Sequence, residues 1–169
     1  MSKIGYIIPI KGLSLGKHEF DFEVEGDLFK EFENDRIFDA DLVAKVLIDK
    51  SQNLVKLKSS IKGEVKVLCD RCLGELLQEV DITPELLIKY SRSEGEADTE
   101  DVMTLDRDEG ELDLKSFFYD YISLSLPIVT THNKNECDPE MLAKLGQLSV
   151  TPIEKSSNPF EALKDLFKK

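Results

Sequence analysis

The sequence predicts an α+β fold: a twisted antiparallel sheet of about five to seven strands, compatible with barrel-like closure, with one main packing helix and short C-terminal helices. Three observations carry this expectation. Long period-two runs fill the first half of the chain. A single strong apolar helical stripe lies at 113–125. Two short segments with helix-capping signatures follow it.

The elements follow in chain order. "HEFDFEVEG" sets Phe20, Phe22 and Val24 against Glu19, Asp21 and Glu23, the alternation of a half-buried strand. "DLFKEFEN" offers Leu28, Phe29 and Phe32 at helical spacing. Leu42, Ala44, Val46 and Ile48 then make one row of a strand, and "DKSQN" is a turn. Beyond the turn, Val55, Leu57, Ile61, Val65 and Val67 face one way, while Lys56, Lys58, Lys62, Glu64 and Lys66 face the other. Period two over that length predicts a long strand with one dry and one wet face. "CDRCLG" is the next turn, and Leu76, Val80, Ile82, Leu86 and Ile88 continue the alternation. The stretch "TPELL" fits a helix start, but the alternation runs straight through it. A strand with Pro84 at an edge or bulge is the expectation.

Residues 91–111 hold nine acidic and two basic residues, contributing -7 of the chain's formal charge of -12. This composition predicts a solvated, mobile loop. "LDLKSFFYDYISLSLP" is the clearest helix. Asp113 caps it, Leu114, Phe117, Phe118, Tyr121 and Ile122 form its stripe, and Pro127 ends it. "CDPEMLAKLG" has Asp138 as cap, Pro139 at the first position and Gly146 at the exit. "NPFEALKDLFKK" repeats the pattern, with Phe160, Leu163 and Phe167 as its stripe. The expected organisation is one α+β domain over 1–147, containing the acidic loop, then a linker and an amphipathic helix over 148–169.

Composition narrows the function. The net negative charge repels phosphate backbones and anionic membranes, so nucleic-acid contact needs a local basic face. The apolar run at the amino end is short, contains Pro9 and is followed by Lys11, too little for a secretory core or a membrane span. Three cysteines are too few, and odd in number, for a secreted disulfide framework. Together these features predict a soluble protein of a reducing compartment. No Gly-rich phosphate loop, H-E-x-x-H or Gly-x-Ser-x-Gly is present, and the two histidines, His18 and His132, lack a neighbouring nucleophile. No enzyme activity and no small-molecule substrate are expected.

Cys69 and Cys72, in "KVLCDRCLGEL", support three chemistries. A redox pair wants its first thiol at a helix amino terminus, and here the pair lies between two strands. A zinc knuckle suits such a turn and needs two more ligands, which His132 and Cys137 supply in "THNKNEC". The third reading, and the expectation, is that Cys69 is buried on the row of Val65 and Val67 while Cys72 supports the turn, both reduced and without a cofactor.

"VLCDRCLGEL", an acidic loop, "LDLKSFFYDYISLSLP", a histidine, a cysteine and a final "NPFEALKDLFKK" occur here in that order. Over roughly residues 15–169 this resembles the YceD family of large ribosomal RNA subunit accumulation proteins. The resemblance implies a bacterial or organellar protein needed for normal 23S ribosomal RNA levels, with no established catalytic activity. Many members carry a second cysteine pair after the Leu-Pro, whereas this chain has Cys137 alone, preceded by His132; Asp120 also stands where the family helix usually bears Glu.

Two partner classes follow. Lys56, Lys58, Lys62 and Lys66 share the wet face of one strand with Arg71 at its end, and same-face neighbours are about 7 Å apart, close to phosphate spacing. That suits ribosomal RNA or a pre-50S particle. The alternative is an adaptor or chaperone for a basic large-subunit ribosomal protein, which suits the acidic total.

Overall fold

The computed structural model describes residues 5–90, 102–105, 110–133 and 135–148. Its centre is a six-stranded sheet built from β2 (Gly16–Glu25), β3 (Ile37–Lys50), β4 (Leu54–Leu68), β5 (Glu75–Ile82), β6 (Glu85–Tyr90) and β7 (Val102–Leu105). A two-stranded ribbon, β1 (Ile7–Ile8) with β8 (Leu112–Asp113), stands apart from it. The helices are α1 (Gly26–Glu31), α2 (Lys115–Ser125) and α3 (Pro139–Leu148).

β2, β3 and β4 form an antiparallel meander whose two hairpins are long because the alternation runs on through them, with a bulge between Ile37 and Asp39 at the start of β3. β5 and β6 both pair with β4 in a single register, with Ile82 opposite Ile61 and Glu85 opposite Lys58. Thr83 and Pro84 therefore interrupt the strand without shifting its frame. Pro84 has no N–H to donate, and its carbonyl accepts the Ser59 amide at 2.9 Å. The strand expected through "TPELL" is present, broken at its proline.

Two expectations about the sheet need correction. The sheet is mixed, because β7 lies parallel to β6 at the edge. Among the described residues it is also open, with β2 and β7 at its two ends, and does not close into a barrel. β7 falls inside the segment expected to be a mobile loop. Its Leu105 is 2% exposed, so apolar burial overrides the acidic composition around it.

The core lies on one face of the sheet. Inward rows from β3 and β4, including Leu42, Val46, Ile48, Leu57 and Ile61, share one cluster with Leu28 and Phe29 of α1 and with Phe117, Phe118 and Ile122 of α2. Phe118 contacts Tyr6 edge-on at 5.5 Å between centroids and Phe22 at 5.8 Å, tying α2 to the ribbon side and to β2. Leu114, not Asp113, is the residue that caps α2; Asp113 sits one position earlier, where its carboxylate accepts the Lys115 amide at 2.9 Å. Asp138 does the same for Glu140 at 2.8 Å. Gly146 does not end α3, which continues to Leu148. The acidic residues at 91–101 and 106–109, and the linker and helix expected beyond 148, lie outside the described residues. Among the described residues no helix is long and apolar enough to cross a membrane.

Candidate metal centre

The end of β4 curls into a tight knuckle. The Cys69 amide donates to the Gly74 carbonyl at 2.8 Å, and the Leu73 amide returns to the Cys69 carbonyl at 2.9 Å. Leu73 takes a positive φ of 58° to close the turn. This winding turns the sulfurs of Cys69 and Cys72 toward the same interior, where both residues are buried.

A second arm comes from beyond α2. After Pro127 the chain runs back along the knuckle, where the Asp70 amide donates to the Thr130 carbonyl at 2.8 Å. The Thr130 amide donates to Asp70 Oδ2 at 2.6 Å, and the Thr130 hydroxyl reaches the Leu68 carbonyl at 3.3 Å. This pairing delivers His132 to the knuckle, and a turn centred on Asn135, with φ 81°, delivers Cys137. Met141 of α3 packs against the three cysteines.

One ligand atom from each of Cys69, Cys72, His132 and Cys137 lies within 4.8 Å of all the others. Cys69 Sγ and Cys137 Sγ are 3.8 Å apart, and all three cysteines are free of disulfides. His132 Nδ1 is 3.3 Å from Cys72 Sγ and 3.9 Å from Cys137 Sγ. The other ring nitrogen, Nε2, is 2.9 Å from the Glu75 carbonyl. A carbonyl only accepts, so Nε2 carries a proton, and the neutral form of the ring has its Nδ1 lone pair facing the sulfurs.

The surroundings divide the thiols. Burial pushes Cys69 up, but the amides of Cys72, His132 and Arg71 outweigh it and hold the thiol down at about 6. The Asp138 and Gly74 amides lower Cys72 as well. Cys137 is pushed up to about 11, first by burial and then by its contacts with Cys69 and Cys72. The Glu75 carbonyl and the Cys72 sulfur raise His132. Arg71 donates to the His132 carbonyl at 2.5 Å and lays positive charge beside Cys137. It braces the cluster and does not extend the lysine row.

The lysine row is where the alternation puts it, but it is largely neutralised. Lys58 pairs with Glu85 at 2.7 Å, Lys62 with Asp81 at 2.9 Å and Lys66 with Asp39 at 3.7 Å. All four lysines face outward, with Lys56 beside Asp49 and Leu87 in the register. Three contributors escape a reading of residues alone: Asp70 and Thr130, which join the arms, and Glu75, which acts through its backbone.

No curated protein and no solved structure matches this chain. A protein-family model described as "Large ribosomal RNA subunit accumulation protein YceD" matches residues 57–167, more than half of the chain. The match begins inside β4 and contains both arms of the cluster.

Proposed function

Because the chain belongs to the YceD family of large ribosomal RNA subunit accumulation proteins, we propose that it is a non-catalytic large-subunit assembly factor, acting by contact with ribosomal RNA or a pre-ribosomal particle. In this reading the two-armed cluster is a structural zinc site. The membership supports a role in ribosome biogenesis; the zinc and the docking mode are the proposal.

The observation that carries the zinc is the convergence of four ligand atoms within 4.8 Å. Tetrahedral zinc with bonds of about 2.3 Å to sulfur and about 2.0–2.1 Å to nitrogen sets sulfurs about 3.8 Å apart and sulfur and nitrogen about 3.6 Å apart. In the structure the Cys69–Cys137 sulfurs are 3.8 Å apart and His132 Nδ1 is 3.3 and 3.9 Å from two sulfurs, close to those values, while the widest separation in the set is at most 4.8 Å. The Glu75 carbonyl orients the imidazole from outside, as ligating histidines require. A cation between the sulfurs favours the ionised form of Cys137, and Arg71 offsets the remaining negative charge. Four protein ligands leave no open position for a reacting water, which fits a structural rather than a catalytic ion. The ion then cross-links the end of β4 to the segment leading into α3.

The test joins metal content to RNA level. Protein purified under reducing conditions should carry one zinc per chain by inorganic mass spectrometry, and Cys72→Ser or Cys137→Ser should lose it. Zinc-free wild-type protein from zinc-supplemented cells would remove the metal from the proposal. Unchanged large-subunit RNA after depletion of the protein would remove the assembly role.

A further inference from the structure

Among the described residues the outer face of the sheet is unpartnered. The buried side chains of α1 and α2 belong to the cluster on the inner face, and no described element covers the other side. That open face carries apolar side chains in plain contact with solvent: Val43 is 45% exposed, Leu68 43% and Leu77 59%. Val43 lies in the Lys62–Asp81 row, Leu77 lies opposite Lys66, and Leu68 is diagonal to Leu77.

Between Val43 and Leu77 runs a line of carboxylates. The register sets Glu25 opposite Asp41, Asp41 opposite Glu64, and Glu64 opposite Glu79, across four consecutive strands. All four residues are exposed. Neighbouring strands are about 4.8 Å apart, so each carboxylate has a like charge directly beside it, an arrangement that destabilises a sheet. The lysines on both flanks are committed elsewhere, Lys62 to Asp81 and Lys66 to Asp39. Among the described residues no ion pair reaches any of the four.

We infer that this face docks a cationic polypeptide segment in which Lys or Arg side chains alternate with apolar ones, laid across the carboxylate row. The charges meet Glu25, Asp41, Glu64 and Glu79, and the apolar side chains cover Val43, Leu68 and Leu77. A phosphate backbone is the poorer occupant. It needs uncommitted cations, and the two lysines that flank the carboxylate row on β4, Lys62 and Lys66, already hold carboxylates. Opposed like charges that the fold leaves uncompensated are relieved by such a partner, which gives the association a strong salt dependence. The inference rests on the reading of the protein as a docking factor and names the partner's chemistry and the surface that meets it.

Fluorescence anisotropy on the full chain tests it, with a labelled peptide of alternating lysine and valine as probe. Comparison probes are a peptide with glutamate in place of lysine and a single-stranded RNA oligonucleotide. Asp41→Asn, Glu64→Gln and Glu79→Gln together should weaken the lysine peptide by about tenfold or more, with thermal unfolding showing a folded variant. Removing the same number of charges away from this face, by Glu33→Gln, Asp35→Asn and Asp120→Asn, all exposed and outside the sheet, should leave binding within about twofold. Equal peptide binding by wild type and the row variant overturns the inference, as does RNA bound more tightly than the peptide by the wild-type chain. Cells depleted of the protein separate the two levels of argument. If wild-type protein fails to restore large-subunit RNA, the assembly reading is wrong. If wild-type and row variant restore it equally, the docking face is wrong and the assembly reading stands.

Discussion

Gly63→Ala should be among the most damaging single substitutions in the sheet. Gly63 pairs with Leu42 on one side and Val80 on the other, in the middle of β4. Its φ of +143° lies where residues with a Cβ rarely go, and a Cβ there would meet the Asp41 carbonyl oxygen at 2.2 Å and Leu42 Cα at 3.0 Å. An ordinary carbon–oxygen contact is about 3.4 Å, so β3 and β4 must part by roughly 1 Å at this point. Two ladder hydrogen bonds then stretch beyond useful length, at about 1 kcal/mol each. Backbone strain adds about 1–3 kcal/mol. The sum, about 3–5 kcal/mol, is a large share of the roughly 5–15 kcal/mol that holds a domain together. Urea unfolding followed by far-ultraviolet circular dichroism measures it. Gly12→Ala, with nothing within 4 Å of the added carbon, is the control and should be near neutral. A loss below about 1 kcal/mol for Gly63→Ala would refute the close-approach argument.

Ser59 is fully buried in the core, and its hydroxyl has no hydrogen-bond partner among the described residues. Ser59→Ala should raise stability by about 1 kcal/mol in the same urea assay, and a loss would mean that the hydroxyl is satisfied. Leu73 combines a left-handed φ of 58° with 61% exposure. Leu73→Gly should stabilise the knuckle by about 1 kcal/mol and leave zinc stoichiometry unchanged, and reduced stability would show that the side chain is held in place. Zinc affinity should fall steeply as pH is lowered, because the ion takes thiolates and must displace protons, above all from Cys137, whose thiol is pushed up to about 11. Chelator competition between about pH 6 and pH 8 reads this, and a flat profile would rule out ligation by thiolates.

The central strands were legible because their signal is local. Alternation along residues 54–68 shows which side chains face inward without any knowledge of the neighbours. β7 was not legible. Its four residues, Val102–Leu105, sit in an acidic stretch, and only the partner strand β6 makes them a strand. Pairing also decided the meaning of the lysines. Glu85, Asp81 and Asp39 are distant in sequence and become counter-charges only through the register. The same register creates the row from Glu25 to Glu79, which no single segment announces. For the metal centre, spacing identified all four candidate residues, but not that they meet. Convergence depends on the return of the chain along Asp70, fixed by Thr130. The orientation of His132 depends on a backbone carbonyl, which side-chain identity cannot encode.

The Asp70–Thr130 contact has one more implication. Its hydrogen bonds use none of the four ligand atoms, so they join the two arms whether or not an ion lies between them. The donor set is thereby assembled in advance, and loading removes little chain freedom. Release should be equally quiet: amide-exchange protection from Leu68 to Leu73 ought to persist after chelation. Thr130→Val, which deletes the hydroxyl while keeping the side-chain shape, should loosen that protection and slow reloading. If the cluster holds zinc as proposed, the metal would then be exchangeable without unfolding the knuckle.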